Sequence, residues 1–185
     1  MLPRRAVLGM AATAVLFAGV ASYANATQTI LIGGGAEGDL HTQAASHICR
    51  LVNEHLGDEY GCLARSAPGT VFKIRAVEIG LMEFGLARSD RAREAVIGSG
   101  AWEGSPAANL RSVLMLAPEP VLLVTSANVA ENLVHDVVRT VFENLGSLRE
   151  AHTALRGLDP SSMLDGLTAP LHPGAARYYR DRGWL

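Results

Sequence analysis

The chain has 185 residues, 49% of them hydrophobic, with 16 basic against 18 acidic side chains and a formal net charge of −2. That length suits one good hydrophobic core and excludes two large domains. The mildly acidic balance excludes a nucleic-acid binder, which needs a basic stripe.

Met1 to Ala26 reads as a secretory signal peptide. Arg4 and Arg5 give the basic start, Ala6 to Val20 the apolar run and Ala24-Asn25-Ala26 a small-x-small cleavage site. The run is too short for a membrane span. A Sec signal explains these residues; Arg4-Arg5 also resembles a twin-arginine signal, and both routes end outside the cytoplasm. Without Arg4 and Arg5 the balance is 14 basic to 18 acidic, a net charge near −4.

Thr29 to Ile32 predicts a short strand, followed by the turn Gly33-Gly34-Gly35 and a helix. Leu40, Ala44, Ala45, Ile48, Leu51 and Val52 recur at three- and four-residue steps, giving that helix one apolar face to pack on a sheet. Strand, turn and helix form the first half of a βαβ unit. The glycines bring backbone N–H groups close to a ligand at a helix start, so an anion would sit here. The simpler reading, a tight chain reversal, is equally open.

The helix should end near Gly57, before a second strand from Cys62 to Arg65. Cys49 and Cys62 are the only cysteines of an exported chain, so a disulfide between them is the default, with two buried thiols as the alternative. Ser66-Ala67-Pro68-Gly69-Thr70 then repeats the small-residue turn before a helix carrying Val71, Ile74 and Val77. Two such turns at one end of a parallel sheet would converge on one crevice. Met82, Phe84 and Leu86 alternate with Glu83, Gly85 and Ala87 as a third strand, and Ser89 or Asp90 is placed to cap a helix running to about Ile97.

Gly98 to Asn109 reads as an exposed loop around Trp102. Leu110 to Ala117 and Val121 to Thr125, separated by Pro118-Glu119-Pro120, read as buried or bridging strands. Beyond Thr125 the pattern turns helical, with a wide apolar face from Leu133 to Leu148 and a last helix opening at His172-Pro173. No strand is expected between there and Leu185.

Gly33-Gly-Gly-Ala-Glu-Gly38 matches G-x-G-x-x-G between a strand and a helix, but soluble nicotinamide cofactors are cytoplasmic, which weighs against that reading in an exported chain. The six histidines show no HxxxH pair and no cysteine pair at zinc spacing, so no metal site is expected. No G-x-S-x-G elbow exists, and no catalytic machinery is visible.

Leu31-Ile-Gly-Gly-Gly, Ile48-Cys-Arg-Leu-Val-Asn, Phe84-Gly-Leu-Ala-Arg-Ser-Asp, Leu110-Arg-Ser-Val, Pro118-Glu-Pro, Phe142-Glu-Asn-Leu and Pro170-Leu-His-Pro-Gly-Ala-Ala-Arg-Tyr-Tyr together resemble the TAXI family of TRAP-transporter solute receptors. The last motif is the most specific, and the motifs follow the family order along the mature chain. The resemblance implies a periplasmic, non-enzymatic solute-binding protein without a cofactor, handing a small organic anion, an amino acid or dicarboxylate, to TRAP-transporter membrane subunits. It also implies an α/β fold: one periplasmic-binding-protein-like lobe spanning 27–185, with a mostly parallel sheet in 27–125 and a helical cover in 126–185.

Members of that family have two lobes around a cleft. Here Val121-Leu-Leu-Val-Thr, which resembles the strand crossing to the second lobe, leads almost directly to helices resembling the late ones, so the second lobe is expected to be missing at about Thr125 to Glu131. A two-stranded remnant would mark the hinge, and a homodimer that rebuilds the cleft is left open. By the resemblance the ligand-binding residues are Gly34 and Gly35 in the first turn, Ser66, Gly69 and Thr70 in the second, and Arg88, Ser89 and Asp90 in the third. Ala67, Pro68, Lys73 and Arg88 depart from the family pattern, and Pro68 removes a backbone donor. Glu37 and Asp39 put negative charge at the helix start, where it competes with an anion. An interaction module derived from such a lobe is the alternative reading.

Overall fold

The computed structural model describes residues 27–116 and 120–185. The signal-peptide reading at 1–26, and Pro118 and Glu119 of the Pro118-Glu-Pro motif, lie outside the described residues. The strands are β1 (Gln28–Gly33), β2 (Tyr60–Arg65), β3 (Phe84–Arg88), β4 (Leu110–Leu116) and β5 (Val121–Ser126). The helices are α1 (Leu40–Leu56), α2 (Gly69–Glu78), α3 (Ser89–Ile97), α4 (Glu131–Glu143), α5 (Leu145–Glu150) and α6 (Pro173–Asp181).

All five strands join one sheet in the order β2-β1-β3-β5-β4. β1 runs parallel to β2 and β3, while β5 runs antiparallel to both β3 and β4. Only β5 is reversed, so the sheet is mostly parallel, as expected. β5 is not a bridging remnant: all of its residues are buried and it lies between β3 and β4. A continuous apolar run suits such a strand, because helices cover both its faces.

One face of the sheet packs against α1, α4 and α6 through Ile32, Phe84, Leu123, Ile48, Val137 and Tyr179. The other carries α2 and α3, with Ile74, Val77, Ala92 and Ala95 against Ala87, Leu122 and Val124. Trp102 belongs to this second core at 1% exposure, contrary to the expected exposed loop. A 3-10 turn at Gly100–Trp102 folds the indole beneath it, and Ala107 N–H donates to the Ala95 carbonyl at 2.8 Å. Two short helices leave part of this face open, and burying a large aromatic there outweighs the polar character of its neighbours.

β3 starts at Phe84 rather than Met82, because β1 pairs with β3 only at Ile32 and Gly33. Leu31 N–H instead donates to the Glu83 carboxylate at 2.7 Å, so Glu83 closes the gap between the two strands. Ser89 and Asp90 do not cap α3, whose N-cap is Arg88 without a side-chain cap. The helical face read from Leu133 to Leu148 breaks at Asn144 into α4 and α5, and Leu171 makes one parallel bridge to Ser112.

Both sheet edges are occupied. On β2, Cys62 N–H donates to Asn53 Oδ1 at 2.7 Å and the Asn53 amide donates back to the Cys62 carbonyl at 3.0 Å. The same strand is tied to α1 by the Cys49–Cys62 disulfide, with Cα atoms 4.9 Å apart. On β4, Ser112 N–H bonds Pro170, the Ser112 carbonyl accepts from His172 N–H, and Met115 N–H bonds Met163. His172 accepts from Gly174 N–H at 3.1 Å and so caps α6.

Candidate functional site

The parallel strands β1, β2 and β3 each end in a turn that opens a helix, and all three turns lie at one edge of the sheet. Between them lies a crevice of about 620 Å³. Gly35, Ala36, Asp39 and His41 line it from the first turn, Ser66 to Thr70 and Lys73 from the second, and Arg88 from the third. A second cavity of about 320 Å³ shares Asp39, His41 and Arg88 and adds Pro120, Val121 and His152, so the helical cover reaches this edge. Gly35, Ser66, Gly69, Thr70 and Arg88 of the predicted set are thus brought together.

Gly34, Ser89 and Asp90 are not on the crevice wall. Gly34 is buried against α1, where an added methyl would sit 3.0 Å from the Thr42 Cα. Ser89 is engaged behind the turn, its N–H on the Pro120 carbonyl at 2.8 Å and its carbonyl accepting from Thr168 at 3.0 Å. Asp90 accepts two hydrogen bonds from the Arg88 guanidinium at 3.1 Å, and that hydrogen bond holds its carboxyl below the usual range.

The first turn spends its donors internally. Gly34 N–H bonds the Arg65 carbonyl at 2.8 Å, Gly35 N–H the Thr42 hydroxyl at 2.9 Å and Ala36 N–H the Asp39 carboxylate at 2.9 Å. Asp39 also accepts from Thr42 N–H at 2.7 Å, capping α1. Partial burial raises the Asp39 pKa, but the bonds from Thr42 and Ala36 outweigh it and hold the carboxyl below its ordinary value. A carboxylate thus occupies the place where a pyrophosphate or other anion would sit in a dinucleotide turn.

The second turn differs. No side chain caps α2, whose N-cap is Pro68, and exposed Gly69 has φ +66°, a conformation that glycine adopts without strain. Ser66 donates to the Gly35 carbonyl at 2.8 Å and pins the first two turns together. Arg88 N–H donates to the Thr70 hydroxyl at 3.3 Å, linking the second turn to the third. The helix start of α2 therefore faces the crevice with its dipole unopposed by a capping carboxylate.

Residues 32–127 and 119–183 match the NMT1-like family. The chain belongs to that family. The NMT1-like family is a periplasmic solute-binding-like one, and the open α/β lobe with a crevice at the strand ends fits it. A comparison with curated proteins gives no match. Among the described residues no helix is long and apolar enough to cross a membrane.

Of the six crevice residues of this NMT1-like chain outside the predicted set, Lys73 and His41 form a pair. Lys73 is 1% exposed, and its Nζ lies 3.0 Å from His41 Nδ1. Burial lowers the Lys73 pKa from 10.5 to about 8, with nearby Asp39 opposing the shift. The lysine stem runs over two glycines. A methyl at Gly33 would lie 3.2 Å from Lys73 Cγ, and one at Gly85 3.4 Å from Lys73 Cβ. The signal available in the sequence was a lysine within the buried stripe of α2, beside Ile74 and Val77.

Proposed function

We propose that the protein is a solute receptor of the TRAP-transporter TAXI type, acting by binding alone. Its ligand is a small organic anion, an amino acid or dicarboxylate, presented to the transporter's membrane subunits outside the cytoplasm. The observation that carries this reading is the crevice where three strand-to-helix turns converge, the place where ligands bind in open α/β sheets. Membership of the NMT1-like family supports a binding role, and the ordered motifs from Leu31 to Tyr179 favour the TAXI form. The two family matches overlap at 119–127, close to where the resemblance places the departure from a two-lobed receptor.

With one lobe, a ligand keeps one face in water, where charge pairs contribute little. The expected affinity of a monomer is therefore weaker than about 10 µM, and tighter binding requires a second copy over the crevice. Melting curves of the mature protein with a panel of amino acids and dicarboxylates at roughly millimolar concentration test the reading. A rise in melting temperature for at least one anion is expected, and no shift across the panel overturns it. Calorimetry with light scattering tests the half-cleft: a monomer with nanomolar affinity refutes it.

A further inference from the structure

A lysine is rarely buried without a task, because removing its ammonium from water is costly. Lys73 is buried to 1% exposure, yet it ends in the crevice beside His41 rather than on a carboxylate. Its stem passes Gly33, where an added methyl would lie 3.2 Å from Lys73 Cγ, and touches Gly85 at ordinary contact distance. An ammonium has only donors, so with Lys73 charged the 3.0 Å contact makes His41 Nδ1 the acceptor and leaves the ring hydrogen on Nε2. The pair then presents the full charge of the ammonium to an anion. Arg88, the other cation on the wall, has its guanidinium on Asp90 at 3.1 Å and is 59% exposed, so water screens it.

We propose that Lys73 and His41, rather than Arg88 or the glycine turn, read the negative charge of a carboxylate ligand, and that binding requires the proton on Lys73. This inference rests on the receptor reading above. The groups facing Lys73 are Asp39 and His41 from the start of α1 and Arg88 from the end of β3, with His152 of the helical cover in the adjoining cavity. Asp39 spends both oxygens on Thr42 and Ala36 N–H, so it stabilises the lysine charge from the cap without ion-pairing with it. A bound carboxylate supplies a close counter-charge and holds the proton in place.

The test is calorimetry with succinate and with L-glutamate at up to about 10 mM, on the wild type, Lys73→Met, His41→Gln and Arg88→Ala, from about pH 7 to about pH 9. For wild type, affinity should fall roughly tenfold per pH unit once the lysine deprotonates, with proton uptake visible as a dependence on buffer ionisation enthalpy. Lys73→Met should weaken binding at least about tenfold at pH 7 and abolish the pH dependence, while Arg88→Ala weakens it less than Lys73→Met does. Thermal melts confirm that each variant folds, and His41→Gln, which keeps an acceptor and a donor, should retain binding better than Lys73→Met. Binding unchanged in Lys73→Met, or lost in Arg88→Ala instead, overturns this assignment and leaves the receptor reading intact. No binding of either anion to wild type overturns both.

Discussion

Gly174 gives a prediction whose sign the sequence alone would get wrong. It is the second residue of α6, and helix propensity says that alanine there should stabilise by up to about 1 kcal/mol. In the structure a methyl at this position would lie 2.3 Å from the Glu131 carbonyl oxygen, 2.9 Å from His135 N and 3.1 Å from Val134 Cβ. The first two are backbone atoms of α4, so α4 and α6 must separate to admit it. That separation would disturb Tyr179, whose hydroxyl donates to the Val113 carbonyl at 2.6 Å, and Tyr178, stacked on Phe142 at 5.7 Å. Overpacking costs about 1–3 kcal/mol, and a clash with two backbone atoms belongs at about 2–3 kcal/mol, so after the propensity gain of up to about 1 kcal/mol Gly174→Ala should destabilise by roughly 1–2 kcal/mol. With a urea slope of about 2 kcal/mol/M, the midpoint should fall by roughly 0.5–1 M. Gly146 in α5 is the control: a methyl there meets nothing within 4 Å, and Gly146→Ala should be neutral or stabilising by about 0.5 kcal/mol. A Gly174→Ala protein as stable as wild type would refute the close crossing of the two helices.

Thiol labelling of unreduced, denatured protein should find no free cysteine, and replacing Cys49 and Cys62 by serine should cost about 3 kcal/mol for a bridge of sequence separation 13. Asp39→Ala should destabilise by about 1 kcal/mol through loss of the α1 cap, measured by urea titration. Because the folded-state pKa of Asp39 is depressed, its contribution is present above the unfolded carboxylate pKa and disappears as pH falls through the folded value, so the gap between Asp39→Ala and wild type should close in acid. Lys73 has the opposite charge and a pKa lowered to about 8, so the unfolded chain binds more protons between about pH 8 and 10.5 and wild-type stability should rise with pH across that window. Lys73→Met should be at least as stable as wild type at neutral pH and lack that rise; a flat wild-type profile would show that the lysine is solvated.

The periodicity of Leu40 to Val52 and the wide apolar face beyond Leu133 made the helices legible, and the three strand-to-helix turns followed from their glycines and small residues. The position of β5 was not legible, because a run such as Val121 to Thr125 reads alike in the middle of a sheet and at a crossing point. Trp102 was misread for a related reason: its glycine and serine neighbours describe the backbone of the loop, whereas its burial depends on how much of the sheet α2 and α3 leave uncovered. At the site, the small-residue turns located the edge, and the family resemblance supplied five of the wall residues, but composition went no further. It did not show that Asp39 and Thr42 consume the first turn's donors, since those bonds depend on side-chain direction. Nor did it show that Lys73 passes two strand glycines, Gly33 and Gly85, to reach a histidine on another helix.

The track of Lys73 past Gly33 ties the size of a β1 residue to a side chain from α2. While residue 73 is lysine, a side chain at 33 meets its stem and the Met82 sulfur, which would be 2.9 Å from an added methyl, so drift at that glycine is barred even though β1 gains nothing from glycine itself. Shortening residue 73 alone would not open position 33, because the Met82 sulfur would still stand 2.9 Å from an added methyl. Residues 33, 73 and 82, on β1, on α2 and just before β3, therefore limit one another's size.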